Sequence, residues 1–365
     1  MIWSGAVFQP PHCPKPGCDS HADPGPWRAV RKGFFLRQRR PRRIQRYRCP
    51  RCRRGFSSQT FSPTYWLKRP ELLRCLFFRT LACSGHRQIA REFDIAHTTV
   101  GRQLARLGRH CLLLHERLRP HSAPSEPLVL DGFRTFEAGQ YWPFDLNLAI
   151  GAHSHFLYGF NEAELRRSGT MTRRQRARRS VLEHAHGRPD PQATRNAIQE
   201  LVERLVPEGT SVEIHSDEHQ AYPQALRRLR DRRIVHRRIS SKASRSARNP
   251  LFPVNLADLL LRHSGANHKR ETIAFSKRRQ GALYRAAIFI VWRNYVKPFS
   301  ERRRDAPPGV RVGVIEEPLR VEALLRRREF PWRVALCPWL RRCYRGEIPT
   351  RRIARIYTHR LTYAA

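Results

Sequence analysis

Two kinds of residue in this chain are spaced for chemistry: paired cysteines, and isolated carboxylates where apolar runs give out. Cys13-x4-Cys18 and Cys49-x2-Cys52 form two close pairs separated by a basic segment. Tetrahedral zinc takes four soft ligands, and two nearby cysteines let one tight turn supply two of them. Cys49-Pro-Arg-Cys52 runs on into Arg-Arg-Gly-Phe, which offers Gly55 for the turn, and His12 stands beside Cys13 as an alternative ligand. A bound zinc ion would supply much of the folding energy of a segment with little core of its own. The other five of the nine cysteines (Cys75, Cys83, Cys111, Cys337, Cys343) are scattered and read as ordinary thiols.

Asp131 follows the apolar run Leu-Val-Leu, and Asp217 follows Val-Glu-Ile-His-Ser, each at the expected end of a strand. Two such acids, separated by strands and a helix, suit the holding of two divalent cations for in-line attack at phosphorus. A third carboxylate should then follow on a helix, and Asp258 and Glu271 are the candidates. On a helix beginning near Asn255, the residues Asn255, Asp258 and Arg262 share one face, and Leu256, Leu259 and Leu260 share the other. The leucine face would anchor the helix on a sheet, with Asp258 aimed at the first two acids. Asn255-x-x-Asp258 also has the form of a helix N-cap with its reciprocal acid, a purely structural role. Glu271 lies beyond a break at Gly265 and ranks second. His215 and His219 flank Asp217, where they can assist the site or simply hydrogen-bond locally.

The chain has 365 residues, 71 of them Lys or Arg against 30 acidic ones, for a formal net charge of +41. Such a field favours a polyanion, ordinarily DNA or RNA. An apolar content of 40% indicates that most of the chain folds. No stretch reaches transmembrane length, and the first residues lack the charged-then-apolar layout of a signal peptide, so a cytoplasmic protein with no membrane partner is expected.

The elements that must position these residues follow from periodicity. Residues 65–118 alternate as helices do, and within them GHRQIAREFDIAHTTVGRQLARLGRH carries Ile89, Ala90, Phe93, Ile95, Val100 and Leu104 at the spacing of two packed helices. With the turn at Asp94–Ala96, Thr98 and Thr99 open the second helix, and Arg102 and Arg106 lie along it, as in a helix-turn-helix reader of DNA. An ordinary amphipathic helix pair has the same spacing. After the linker SAPSEP, strands are expected at PLVLDGF, PFDLNLAIGAHSHFLYGF, SVEIHSD and RRIVHRRIS, with helices between 164 and 207, over 255–263 and over 271–297. The result is a mixed α/β catalytic unit. Arg166, Arg167, Arg173, Arg174, Arg176, Arg178 and Arg179 form a cluster suited to phosphate contacts, although a solvated helix face would look alike.

Paired cysteines, helix-turn-helix, Asp131, Asp217 and a helical acid, in that order, resemble the DDE-type insertion-sequence transposases, in the zinc-ribbon group around insertion sequence one. The stretches that carry the resemblance begin VLDGFRTFEAGQYWPF, LRRSGTMTRRQRARRS and NPLFPVNLADLLLRHSGANHKRETIAFSK, and it extends from about Cys13 to Pro298. It implies a ribonuclease-H-like mixed sheet with flanking helices over 122–298, preceded by a zinc ribbon (1–60) and a helix-turn-helix module (61–121), with a basic C-terminal tail (299–365). It further implies Mg²⁺ or Mn²⁺ at Asp131, Asp217 and the third acid, zinc at the four cysteines, and double-stranded DNA as partner, both element ends and target. Cleavage at terminal inverted repeats, strand transfer and assembly as a homo-oligomer on DNA come with it. The family's third acid is usually Glu, preceded three residues earlier by Asn, whereas here Asn255 precedes Asp258. Aspartate is one methylene shorter, so its helix must sit closer. That departure leaves open an inactive or domesticated copy that binds DNA without cutting it.

Overall fold

The four paired cysteines fold the N-terminal segment around themselves. In the computed structural model, which describes residues 8–354, 356, 358 and 359 except Arg39, Ser241 and Arg270, the short helix α1 (Asp19–Ala22) precedes strands β1 (Val30–Leu36), β2 (Arg43–Arg48) and β3 (Gly55–Ser57). These strands form one antiparallel sheet in sequence order. β1 is exposed along its whole length, whereas β2 buries Ile44 and Tyr47.

Three helices follow: α2 (Leu72–Leu81), α3 (His86–Glu92) and α4 (His97–Leu118). The turn between α3 and α4 places Asp94 in the left-handed region, φ 48°, which Asp tolerates better than most residues. Ile89, Val100 and Leu104 are buried between the helices, as their spacing requires. α4 runs for 22 residues. Beyond its contact with α3 it crosses a later helix, α9 (Arg279–Tyr295). The crossing is closest at Gly108, where a Cβ would lie 2.4 Å from Tyr284 Cβ and 2.8 Å from its Cα.

The second sheet contains β4 (Leu128–Phe136), β5 (Pro143–Gly151), β6 (Leu157–Glu164), β7 (Ser211–Ser216) and β8 (Arg233–Arg238). Its order is β6-β5-β4-β7-β8, the first three antiparallel and the last two added in parallel. Helices α5 (Arg173–His186) and α6 (Ala193–Leu205) connect β6 to β7, and α7 (Ala221–Leu226) connects β7 to β8. Strand alternation puts Asp131 and Phe133 on one face and Gly132 and Arg134 on the other. Helix α8 (Phe252–Ser264) covers the first face, its Arg262 guanidinium 4.5 Å from the centre of the Phe133 ring. On the other face α6 packs, with Asn161 donating to the Ala197 carbonyl at 2.6 Å and its own oxygen accepting from Asn147 at 2.9 Å.

Within 299–365, expected as a basic tail, residues between 321 and 348 contribute to the core. Helices α10 (Pro308–Arg311), α11 (Val321–Leu324) and α12 (Pro338–Arg345) pack on the rest of the chain. Val321, Leu324, Trp339, Leu340, Cys343 and Tyr344 belong to the same hydrophobic core as α2–α4 and the five-stranded sheet. The reason is periodicity masked by arginines: on α12, Trp339, Leu340, Cys343 and Tyr344 recur at helical spacing and are buried together. The linker at 122–127 therefore joins parts of one core.

A buried ionic hub fixes α9 on the sheet. Arg279, at its first turn, pairs with Glu137 just past β4 (2.9 Å) and with Glu162 (2.8 Å) and Glu164 (3.0 Å) of β6. The C-terminal segment joins this hub, because Thr350 donates to Glu137 at 2.8 Å and Arg351 pairs with Glu164 at 2.6 Å.

Gly108→Ala is expected to destabilise the protein by about 1–3 kcal/mol, because the new methyl meets the backbone of α9, which cannot yield alone. Denaturant unfolding of the two proteins measures it, and a neutral result would mean that α4 and α9 separate easily.

Candidate metal centre and carboxylate site

Cys13 comes from a loop, Cys18 stands at the start of α1, and Cys49 and Cys52 sit on the turn between β2 and β3. Their four Sγ atoms all lie within 4.8 Å of one another. Cys13 and Cys52 approach to 3.6 Å, Cys18 and Cys49 to 3.9 Å, and none is in a disulfide. Sulfurs about 2.3 Å from a tetrahedral zinc stand roughly 3.8 Å apart. The thiols are thus placed where a zinc ion could be held by all four. Burial pushes the Cys13 thiol up. Burial acts the same way on Cys49, but backbone N–H groups of Cys52 and Arg51 outweigh it and bring that thiol down to about 7. Gly55 is not the residue that turns the chain: Arg53 takes the left-handed conformation, φ 61°, while Gly55 begins β3. His12 is not among the four converging ligands. Its ring bonds the Cys13 carbonyl at 2.9 Å and packs against His21 and Phe330.

The candidate acids come from three elements. Asp131 lies inside β4 and not at its end, because β5 pairs with β4 out to Phe136, whereas the parallel pairing with β7 stops at Val129. The acid stands where the sheet opens between β4 and β7. Asp217 follows directly on β7, and its Oδ1 accepts from the backbone N–H of His219 at 2.9 Å. Asp258 is carried by α8, but the face expected to anchor that helix is the wrong one. The buried stripe is Val254, Ala257 and Leu261, at the i, i+3 and i+7 spacing of a packed face, and Leu259 is 63% exposed. Asp258, next to Ala257 and four residues from Val254, borders the buried stripe and is carried toward the sheet. Nor is it a cap: α8 begins at Phe252, with Pro253 in its first turn and Leu251 at the N-cap position.

The electrostatics tie these acids together. Burial raises Asp258 to about 8, reinforced by Asp131 and Asp145 and opposed by Arg262. Burial also raises Asp131 to about 6, against the Gly132 N–H it accepts and with repulsion from Asp217 and Asp145. Tyr222 of α7 is buried and raised far above its ordinary value, first by that burial and then by Asp131, Asp217, Asp145 and Asp258 together. Asp258 Oδ1 is shielded from solvent with no hydrogen-bond partner, the condition a cation or a proton relieves. The three acids do not, however, all approach within 4.8 Å of one another as the thiols do. Glu271 is exposed on the loop between α8 and α9, and is absent from the leading influences on Asp131 and Asp258.

Asp145 is the member that sequence reasoning missed. It sits on β5 beside Arg134, which it holds at 3.1 Å, and its carboxylate lies over Gly132, where a Cβ would come within 3.1 Å of Asp145 Oδ2. An acid at a position buried on both sides in PFDLNLA was the available signal. His215 bonds Glu213 at 2.7 Å, a local role.

Of the residues named for DNA contact, Thr98 and Arg102 are exposed at the start of α4, and Thr99 is half-buried there. Arg106 is turned inward. It donates to the carbonyls of Pro63 (3.1 Å) and Tyr65 (2.8 Å) and stacks on the Tyr65 ring, so it braces the segment between the thiol cluster and α2. Arg173 and Arg174 are exposed on α5, a helix that buries no residue. Its start is held by Thr172 and Gln175, each bonding the other's backbone N–H.

Metal analysis of the purified protein should find one zinc per chain, and Cys49→Ser should lose it together with the fold of residues 8–57. Well-folded protein free of zinc would refute the assignment. A second outcome concerns protons. Asp258 binds its proton more tightly folded, at about 8, than unfolded, near 3.8, so its ionisation costs stability as pH rises through that window. Without magnesium or manganese, wild type should lose thermal stability relative to Asp258→Asn between pH 5 and 8 (about the span of the shift). Parallel pH profiles for the two proteins would show Asp258 to be unperturbed. Against known proteins, the sequence matches no family model and no curated protein.

Proposed function

We propose that the protein is a DNA transposase that binds the terminal inverted repeats of an insertion sequence and catalyses metal-dependent strand cleavage and strand transfer. The observation that carries this reading is the placement of Asp131 in β4 just past its pairing with β7, Asp217 directly after β7 and Asp258 on α8 with a buried, unpartnered Oδ1, in a chain of net charge +41. Three antiparallel strands continued by two parallel ones support the ribonuclease-H-like core that the resemblance implies. The four thiols and the helix–turn–helix arrangement of α3 and α4 support its two front modules.

The donor set suits hard divalent cations, since Asp131, Asp217 and Asp258 offer carboxylate oxygens, one of them buried and unpartnered. Mg²⁺ or Mn²⁺ bound there would activate a water or 3′-hydroxyl and stabilise the leaving oxygen. The chain's own part is positional. β4 and β7 stop pairing before Asp131, α8 carries Asp258 toward the sheet, and Arg134 and Arg262 limit the repulsion that four acids would otherwise create. In this reading Thr98, Thr99 and Arg102 at the start of α4 would read bases, and the exposed Arg173 and Arg174 would hold phosphates without sequence preference.

A second reading, a DNA-binding protein that no longer cuts, is favoured by the wider spacing of the carboxylates. Cleavage of DNA bearing the element ends, in Mg²⁺ or Mn²⁺, separates the two. Asp131→Asn, Asp217→Asn and Asp258→Asn should each abolish nicking while keeping DNA affinity within about threefold, and Glu271→Gln should still cut. Wild type that binds the ends and never nicks them supports the second reading, and an inactive Glu271→Gln beside an active Asp258→Asn would reassign the third acid.

A further inference from the structure

Next to the carboxylate site, a half-open cleft of about 350 Å³ lies between the far end of β4, the start of β5 and the segment that follows β6. Its lining is strongly cationic, with Arg134, Arg166, Arg167, Arg262 and Lys269. Among the described residues no carboxylate lines it. The floor is apolar, formed by Phe136, Pro143 and Leu165. The volume is that of a small-ligand site, too small for a duplex, whose major groove alone is about 12 Å wide.

Arg134 links the cleft to the acids by holding Asp145 at 3.1 Å, and Arg262 does so as the cation that counters the rise at Asp258. Arg166 is already paired bidentately with Glu183. Arg167 is different: its guanidinium lies 4.8 Å from the centre of the Tyr141 ring, and its Nη1 is shielded from solvent with no hydrogen-bond partner. Arg167 and Lys269 both line the cleft, and phosphate oxygens are the acceptors that guanidinium groups fit best.

We propose that this cleft receives a single unpaired nucleotide of the DNA strand that passes the carboxylates, its phosphate toward Arg167 and Lys269 and its base against Phe136 and Leu165. The proposal rests on the DNA-processing reading of the carboxylate site and adds a strand-separated substrate to it. Cations give the phosphate affinity, and an aromatic floor accepts any base face without sequence choice. An end that frays at the cleavage position is thus bound better than a fully paired one.

The test uses the full chain, without added magnesium or manganese so that nothing is cut, and two labelled duplexes of one sequence. One is fully paired and the other has a few unpaired nucleotides at its end, with 2-aminopurine among them. Wild type should bind the frayed duplex about tenfold more tightly than the paired one and change the 2-aminopurine emission. Arg167→Ala should lose that preference while paired-duplex affinity stays nearly constant. Lys269→Ala, at an exposed position where folding is not at risk, should reduce it, and Arg174→Ala, outside the cleft, should weaken both duplexes alike and keep the preference. No preference in wild type, or equal weakening of both duplexes by Arg167→Ala and Lys269→Ala, overturns the proposal and leaves the DNA-processing reading standing. Failure to bind either duplex would overturn that reading and the cleft with it.

Discussion

The placement of α9 depends on one guanidinium. Arg279 is 3% exposed, and the three glutamates around it come from the end of β4 and from β6. A charge taken that far from water is tolerated only where partners and hydrogen bonds replace its hydration, so α9 can begin at only one place on the sheet. Glu137 also accepts the backbone N–H of Arg279, which anchors the positive end of the helix on a carboxylate. With α9 fixed, α4 crosses it at Gly108, and α8, which leads into the loop before it, is held over Asp131.

The sheet thus carries two acid clusters of opposite design. Around Arg279 the glutamates are neutralised within the molecule, with Arg351 as a second cation. At Asp131, Asp217, Asp258 and Asp145 two cations, Arg134 and Arg262, face four acids, and burial raises Asp131, Asp145 and Asp258 toward their protonated forms. Stability alone would favour pairing the second cluster as the first is paired. An acid cluster left short of cations in so basic a chain is suited to cations supplied from outside.

Much of this was legible in the sequence, in the places where a local rule decides the outcome. The cysteine pairs found each other because ligand spacing needs no tertiary context, and β7 ended at Asp217 as its apolar run did. The misread elements were those whose neighbours decide. The leucines of α8 suggest an anchoring face, but the residues buried along it are Val254, Ala257 and Leu261. Asp145 looked like part of an alternating strand until the pairing of β4 with β5 set it over Gly132. Charge also misled locally. Arg106 and Arg279 count equally with Arg102 in the net charge, yet the first two are spent on carbonyls and carboxylates inside the fold. Composition gives the sign of the field and does not say which arginines are free to meet a polyanion.

The contacts of the last helices have a consequence for how the protein comes into being. The His110 ring of α4 meets the Leu324 carbonyl at 2.8 Å, the Arg328 backbone N–H reaches Phe61, and Arg333 reaches the His21 carbonyl. A chain growing from its N-terminus can assemble its thiol cluster and helices early, but these keep an open flank until residues beyond 320 leave the ribosome. Until those residues arrive, the apolar surface that α4 and the N-terminal segment turn toward the last helices stays uncovered.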